Sequence, residues 1–135
     1  MELTLVEVLA SDKALEVLSK KHFKNFSVAL QIAKLKKTLS ENSDFYMKQE
    51  RDIIDRYAEK QEDGNLKLVN SNLSFKTQDD IKGFSDDLSK LKETKVDIGE
   101  PIKIVVDKDL AADQESLTPD EILALVNVID FTMSE

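Results

Sequence analysis

The side chains able to do chemistry are few and scattered. His22 is the only histidine, and there is no cysteine. One imidazole without thiolates cannot build a standard zinc site. A Ser–His–Asp catalyst would have to use this histidine with no G-x-S-x-G elbow beside it. His22 lies in "KKHFKNF", a lysine-rich connector where a solvated ring is the simpler reading. Asp107, Asp109 and Asp113 in "DKDLAAD" have a calcium-like spacing. The glycine an EF-hand loop needs at its sixth position is missing, and Gln114, Glu115 and Thr118 do not restore the pattern. An acidic loop before a capped helix accounts for these residues. The pairs Asp79–Asp80 and Asp86–Asp87 are adjacent and do not face each other on a helix. Gly64, Gly83 and Gly99 are isolated, so no phosphate-cradling loop exists. The expectation is a non-enzyme with no catalytic, cofactor or metal site.

"KKHFKNF" with Lys34, Lys36 and Lys37 is the one nucleic-acid candidate. The only arginines are Arg51 and Arg56, and the chain carries a net charge of -8. Base reading favours arginine and a basic surface, so no direct nucleic-acid contact is expected. The charge is uneven. Residues 13–37 hold seven Lys and one acid; residues 96–135 hold ten acids and two Lys. The two segments should attract each other, within one molecule or between copies. No apolar run approaches the ~18 residues of a membrane span. The start, "MELTLVEVLASDK", lacks the basic and long apolar regions of a signal peptide. With no cysteine, these features fit a cytoplasmic setting without membrane contact.

The elements that would position a contact surface come from periodicity and punctuation. The 135 residues suit a single domain. "LTLVEVLASDKALEVLSK" reads as one or two short helices, with a Thr4–Glu7 capping box and a restart at Ser11–Asp12. Leu5, Val8, Leu9, Leu15 and Leu18 form its buried side. From about Ser27 to Gln61 there is neither Gly nor Pro. Val28, Ile32, Leu35 and Leu39 begin a heptad-like seam that continues through Asn42, Tyr46, Gln49 and Ile53. Polar Asn42 and Gln49 predict a break, a loosened region or a register-setting contact. Gly64 is suited to end this helix. "NLKLV" and "NLSFK" then read as strands around Asn70, Ser71 and Asn72, with Leu66, Leu68, Leu73 and Phe75 alternating. Thr77 caps a return helix whose Ile81, Phe84, Leu88 and Leu91 should meet Tyr46, Ile53, Ile54 and Tyr57. "KVDIGEPIKIVVD" is extended, with Pro101 confining it to an edge or bend. Thr118, Pro119, Asp120 and Glu121 start a C-terminal helix, apolar nearly all round to Phe131 and therefore expected to be buried. The fold expected is α+β and mainly helical. A long antiparallel helix pair with a β-hairpin tip spans 27–94, and segments 1–26 and 95–135 pack together.

The succession "FSVALQIAKLKKTL", "ERDIIDRYAEKQEDGNLKL", "FSDDLSKLKETKVDIGEPIKI" and "LTPDEILAL" resembles a small-protein family of tailed phages and prophages of Gram-positive bacteria. The resemblance spans nearly the whole chain and rests on the order of its landmarks. It implies a phage-encoded factor in the host cytoplasm, or one carried in the virion, and transfers no catalytic residue. The helix–hairpin–helix part is also similar in topology to a prefoldin subunit, which is analogy of fold and not of activity. The function expected is protein–protein contact in virion or tail assembly. Leu66, Leu68, Leu73 and Phe75 at the tip would meet a phage or host protein, or a second copy of the chain. The alternative is a host-takeover or anti-defence inhibitor using an acidic face of Asp107, Asp109, Asp113 and Glu115.

Overall fold

Three threonines place three helix starts. In the computed structural model, which describes residues 1–134, the first helix, α1, spans Leu5–Ser19. Thr4 and Glu7 close its capping box, with the Glu7 N–H donating to Thr4 Oγ1 and the Thr4 N–H donating to Glu7 Oε1. The helix does not restart at Ser11–Asp12. Ser11 is buried inside it, and Asp12 accepts from Lys36 Nζ at 2.7 Å and from Ser40 Oγ at 3.0 Å. The second helix, α2, runs unbroken over Phe26–Tyr57. Asn25 starts it, its Oδ1 accepting from the Ser27 and Val28 N–H groups. Thr77 caps α3 (Gln78–Glu93), and Thr118 caps α5 (Pro119–Leu125) with a second capping box through Glu121.

The chain forms two compact units, residues 1–43 with 95–135, and residues 44–94. The boundary falls inside α2, next to the polar seam position Asn42. Asn42 Nδ2 donates back to the Thr38 carbonyl, and its neighbour Ser43 takes the buried position. The seam interruption therefore marks where α2 passes from one unit to the other, without a break.

The first unit holds the main core. Val8, Leu15 and Leu18 of α1 pack with Val28, Ile32, Leu35 and Leu39 of α2. Each fully buried leucine contributes about 2 kcal/mol or more by removal from water. Two small sheets complete this core. Strand β1 (Glu2–Thr4) pairs antiparallel with β4 (Lys95–Asp97), Leu3 opposite Val96. Strand β5 (Ile102–Val105) starts directly after Pro101 and pairs in parallel with β6 (Ile129–Thr132). The connection between them contains a short helix α4 (Val106–Asp109), a 3-10 turn at Ala112–Gln114 and α5.

Here the expected C-terminal helix is corrected. It ends at Leu125, and the residues after it turn and enter β6. Val128 and Ile129 are β-branched and favour extended backbone. Pairing with β5 then engages the strand from its start: the Ile102 N–H donates to the Val128 carbonyl at 3.0 Å. The apolar run is not buried all round. Leu125, Val128 and Ile129 are buried, whereas Leu123 is 70% and Val126 59% exposed.

In the second unit α3 folds back beside α2. Contacts step backward along one arm of the chain as they step forward along the other. Glu59 meets Ser74, the Tyr57 ring lies over Gly83, and Arg56 pairs with Asp87 at 3.0 Å. Tyr57 Oη donates to Asp87 Oδ2 at 2.8 Å. A methyl group at Gly83 would fall 2.4 Å from Tyr57 Cε1. Tyr46 and Ile53 are buried as the seam predicts; Ile81 of α3 is not, at 42% exposed. Gly64 does not end α2, which stops at Tyr57. At φ +87° it serves the turn after Gln61 that brings Leu66 back to Lys60.

Candidate functional site

At the tip of the second unit, strands β2 (Leu68–Val69) and β3 (Asn72–Leu73) pair with Leu68 opposite Leu73. The turn residues are Asn70 and Ser71, both at positive φ (52° and 67°), as a two-residue hairpin with the twist of its strands requires. Asn72 belongs to the strand. Below the turn three chain segments meet. The Lys67 N–H donates to the Glu59 carbonyl, the Ser74 N–H to the Lys67 carbonyl, and the Glu59 N–H to the Ser74 carbonyl, closing a ring of backbone hydrogen bonds. Ser74 Oγ and the Lys67 ammonium both reach the Glu59 carboxylate, and they hold it below the usual carboxylate range. The tip is thus anchored at its base.

The four expected tip residues do not share one fate. Phe75 turns to α3, its ring 5.1 Å from that of Phe84. Leu66 and Leu73 are half-buried. Leu68 stays in solvent at 57% exposure, joined by Val69 at 52%. Val69 was not among the expected contact residues, although it stands next to the turn where an apolar side chain has little to pack on.

The acidic segment is largely engaged in internal contacts. Asp109 is 8% exposed, and its carboxylate accepts from the Val105 N–H at 2.7 Å and Asn25 Nδ2 at 3.1 Å. Asp107 accepts from the Ser134 N–H and from Ser134 Oγ; these bonds keep its carboxyl below the ordinary aspartate range. Asp113 is exposed and Glu115 half-buried, so the four carboxylates do not form one free face. The basic connector meets this segment within the same unit. The Ala111 N–H donates to the His22 carbonyl, Phe23 bridges Leu110, and the Lys24 N–H donates to the Asp109 carbonyl. Lys21 and Lys24 ammonium groups reach the carbonyls of Ser116 and Asp107. The attraction between the basic and acidic segments is therefore realised through backbone groups more than through ion pairs. Among the described residues, no cluster of three or more His, Asp or Glu side chains is placed to hold a metal ion.

A third surface lies on the first unit, along β6. A groove of about 530 Å³ is bounded by Pro101, Lys103, Ile122, Val126, Asp130 and Phe131. A second, of about 360 Å³, continues past Ile122 and Phe131 to Leu117, Thr132 and Met133. Ile122 of α5 and Val126, the residue that caps its end, are one helical turn apart and border the first groove together. Val126 and Met133 are more than half exposed there, and so is Leu123 of α5, which lines neither groove. Reading these residues as one continuous buried helix hid this surface. Apolar residues outnumber what a seven-residue helix and one short strand can cover.

Among the described residues, no helix is long and apolar enough to cross a membrane. No protein-family model, curated protein or solved structure matches the chain.

Proposed function

We propose that this chain is a non-enzymatic protein-binding factor. The observation carrying this reading is the set of exposed apolar side chains Ile122 and Leu123 on α5, Val126 just after it and Met133 just past β6, bordered by polar residues, which is the usual character of a binding surface. Leu68 and Val69 on the anchored hairpin offer a second contact point, with short open strand edges beside them. The sequence resemblance to phage and prophage proteins supports a role in virion or tail assembly inside the host cell. The inhibitor alternative has less to draw on, because Asp107 and Asp109 are engaged internally.

The test is capture of cross-linked partners from infected or lysogenic cells by the intact chain, compared with Leu68→Lys and Val126→Lys variants. Both positions are exposed, so both variants should fold. A partner captured by the unaltered chain and lost with either variant supports the proposal. Capture that neither variant affects, or no specific capture at all, counts against it. Recovery in phage particles or tail intermediates separates assembly from inhibition of a host protein.

A further inference from the structure

We infer that the groove along β6 binds an extended peptide strand, apolar at alternate positions and flanked by Lys or Arg, which joins the β5–β6 sheet as a third strand. This rests on reading the chain as a binding protein and adds the chemistry and geometry of the bound segment.

Four observations lead here. First, β5 and β6 form a two-stranded parallel sheet, and among the described residues no other strand pairs with either. Parallel sheets are ordinarily covered and extended on both sides, so a lone parallel pair is incomplete. Second, the Ile102 N–H donates to the Val128 carbonyl. In a parallel ladder the groups of alternate residues then face the partner, so Asp130 and Thr132 address β5 while half-buried Phe131 presents N–H and C=O at the outer edge; Ile129 faces the same way but is covered. An edge of this kind takes a strand by backbone hydrogen bonding. Third, Ile122, Val126 and Met133 supply apolar walls beside that edge, where every second side chain of an added strand can settle. Fourth, the groove is lined by three carboxylates, Glu100, Glu115 and Asp130, against one ammonium, Lys103. That balance favours a basic occupant.

The same charges argue against a second copy. Pairing β6 with β6 would bring two Asp130 carboxylates toward each other, and like charges across a strand pair destabilise it. The hairpin strands of another copy are two residues long each, too short to fill this edge.

The experiment uses the isotope-labelled full chain and three synthetic probes. One is a blocked hexapeptide alternating Lys and Val. The second alternates Glu and Val. The third is the Lys/Val peptide N-methylated at alternate residues. The Lys/Val peptide should shift the amide resonances of Phe131 and Met133, with affinity falling several-fold as salt rises from about 50 to about 300 mM. The Glu/Val peptide should not bind, and N-methylation should weaken binding about tenfold by removing backbone donors. Asp130 and Glu100 are exposed. The double variant Glu100→Lys/Asp130→Lys should therefore fold and reverse the preference to the Glu/Val peptide. No shift at millimolar Lys/Val peptide, equal binding of both charge types, or indifference to N-methylation would overturn the inference. A cellular partner lost with Leu68→Lys but retained by the charge-reversed variant would refute the groove inference and leave the binding reading standing. With no partner captured either, both fail.

Discussion

Replacing Gly83 with alanine pits two known effects against each other, and the geometry decides the sign. Gly83 lies inside α3, where alanine is favoured over glycine by about 1 kcal/mol on helix propensity alone. The added methyl, however, would sit 2.4 Å from Tyr57 Cε1 and 2.9 Å from Cζ, against a normal carbon separation of about 3.5–4 Å. The ring must therefore move by roughly an ångström or more. It is held by its hydroxyl, which donates to Asp87 at 2.8 Å, and Asp87 is itself held by Arg56. Overpacking of this kind costs about 1–3 kcal/mol, and loosening the hydrogen bond adds about 1 more. The net expectation is destabilisation by about 1–3 kcal/mol after subtracting the propensity gain. Urea unfolding followed by tyrosine fluorescence reads this directly. Both tyrosines, Tyr46 and Tyr57, lie in the 44–94 unit and the chain has no tryptophan. In a Tyr57→Leu background the obstacle is gone, Tyr46 still reports, and the same change should stabilise. If Gly83→Ala raises the midpoint in the unaltered chain, the packing argument is wrong.

Three further outcomes follow from the hydrogen-bond network. Asp109→Ala should cost about 2–3 kcal/mol, since it leaves the Val105 N–H and the Asn25 amide without their acceptor; amide exchange at Val105 and denaturant midpoints check it. Tyr46 should ionise only at about 12, pushed up by burial and by its 2.9 Å bond to the Glu50 carboxylate. Its contribution to stability is complete below the unfolded value of 10.0 and fades as pH rises toward about 12, so in absorbance titration the Tyr46 step should move earlier in Glu50→Gln. Asp107, depressed by its bonds from Ser134, should hold Ser134 in place above the ordinary aspartate value of 3.8 and release it as pH falls through its lowered folded value; the Ser134 amide resonance should titrate there and lose that step in Asp107→Asn.

Helix starts are legible in this chain because capping is local chemistry. Thr4 with Glu7, Thr77, and Thr118 with Glu121 each act within three residues of themselves. The hairpin is legible for the same reason, since Asn70 and Ser71 tolerate positive φ between two apolar runs. What escapes the sequence is set at a distance. The pairing of β1 with β4 joins the two stretches of the first unit, and no residue near Leu3 announces Val96. The run from Ile122 to Phe131 satisfies a helix and a strand equally well by apolarity. Only the presence of β5 selects the strand. The four carboxylates expected to form one face differ because Val105 and Asn25, remote or on another element, claim Asp109. Val69, Val126 and Leu123 are missed as contact residues because exposure of an apolar side chain is a statement about neighbours that fail to arrive.

The first unit is assembled from two stretches of chain with the whole of the second unit between them. On the ribosome this imposes an order of events. Residues 44–94 form a contiguous piece whose contacts close soon after they are made. Leu3, Val8 and Leu15 emerge earlier, yet their core partners Ile98, Ile104 and Ile129 come only afterwards. The N-terminal helices can pack on each other but must wait, part of their apolar surface uncovered, while the inserted unit is synthesised. That interval is when the nascent chain is most open to capture by a chaperone or to misassociation. A translational pause after residue 94 would lengthen it, and the yield of soluble protein should fall accordingly.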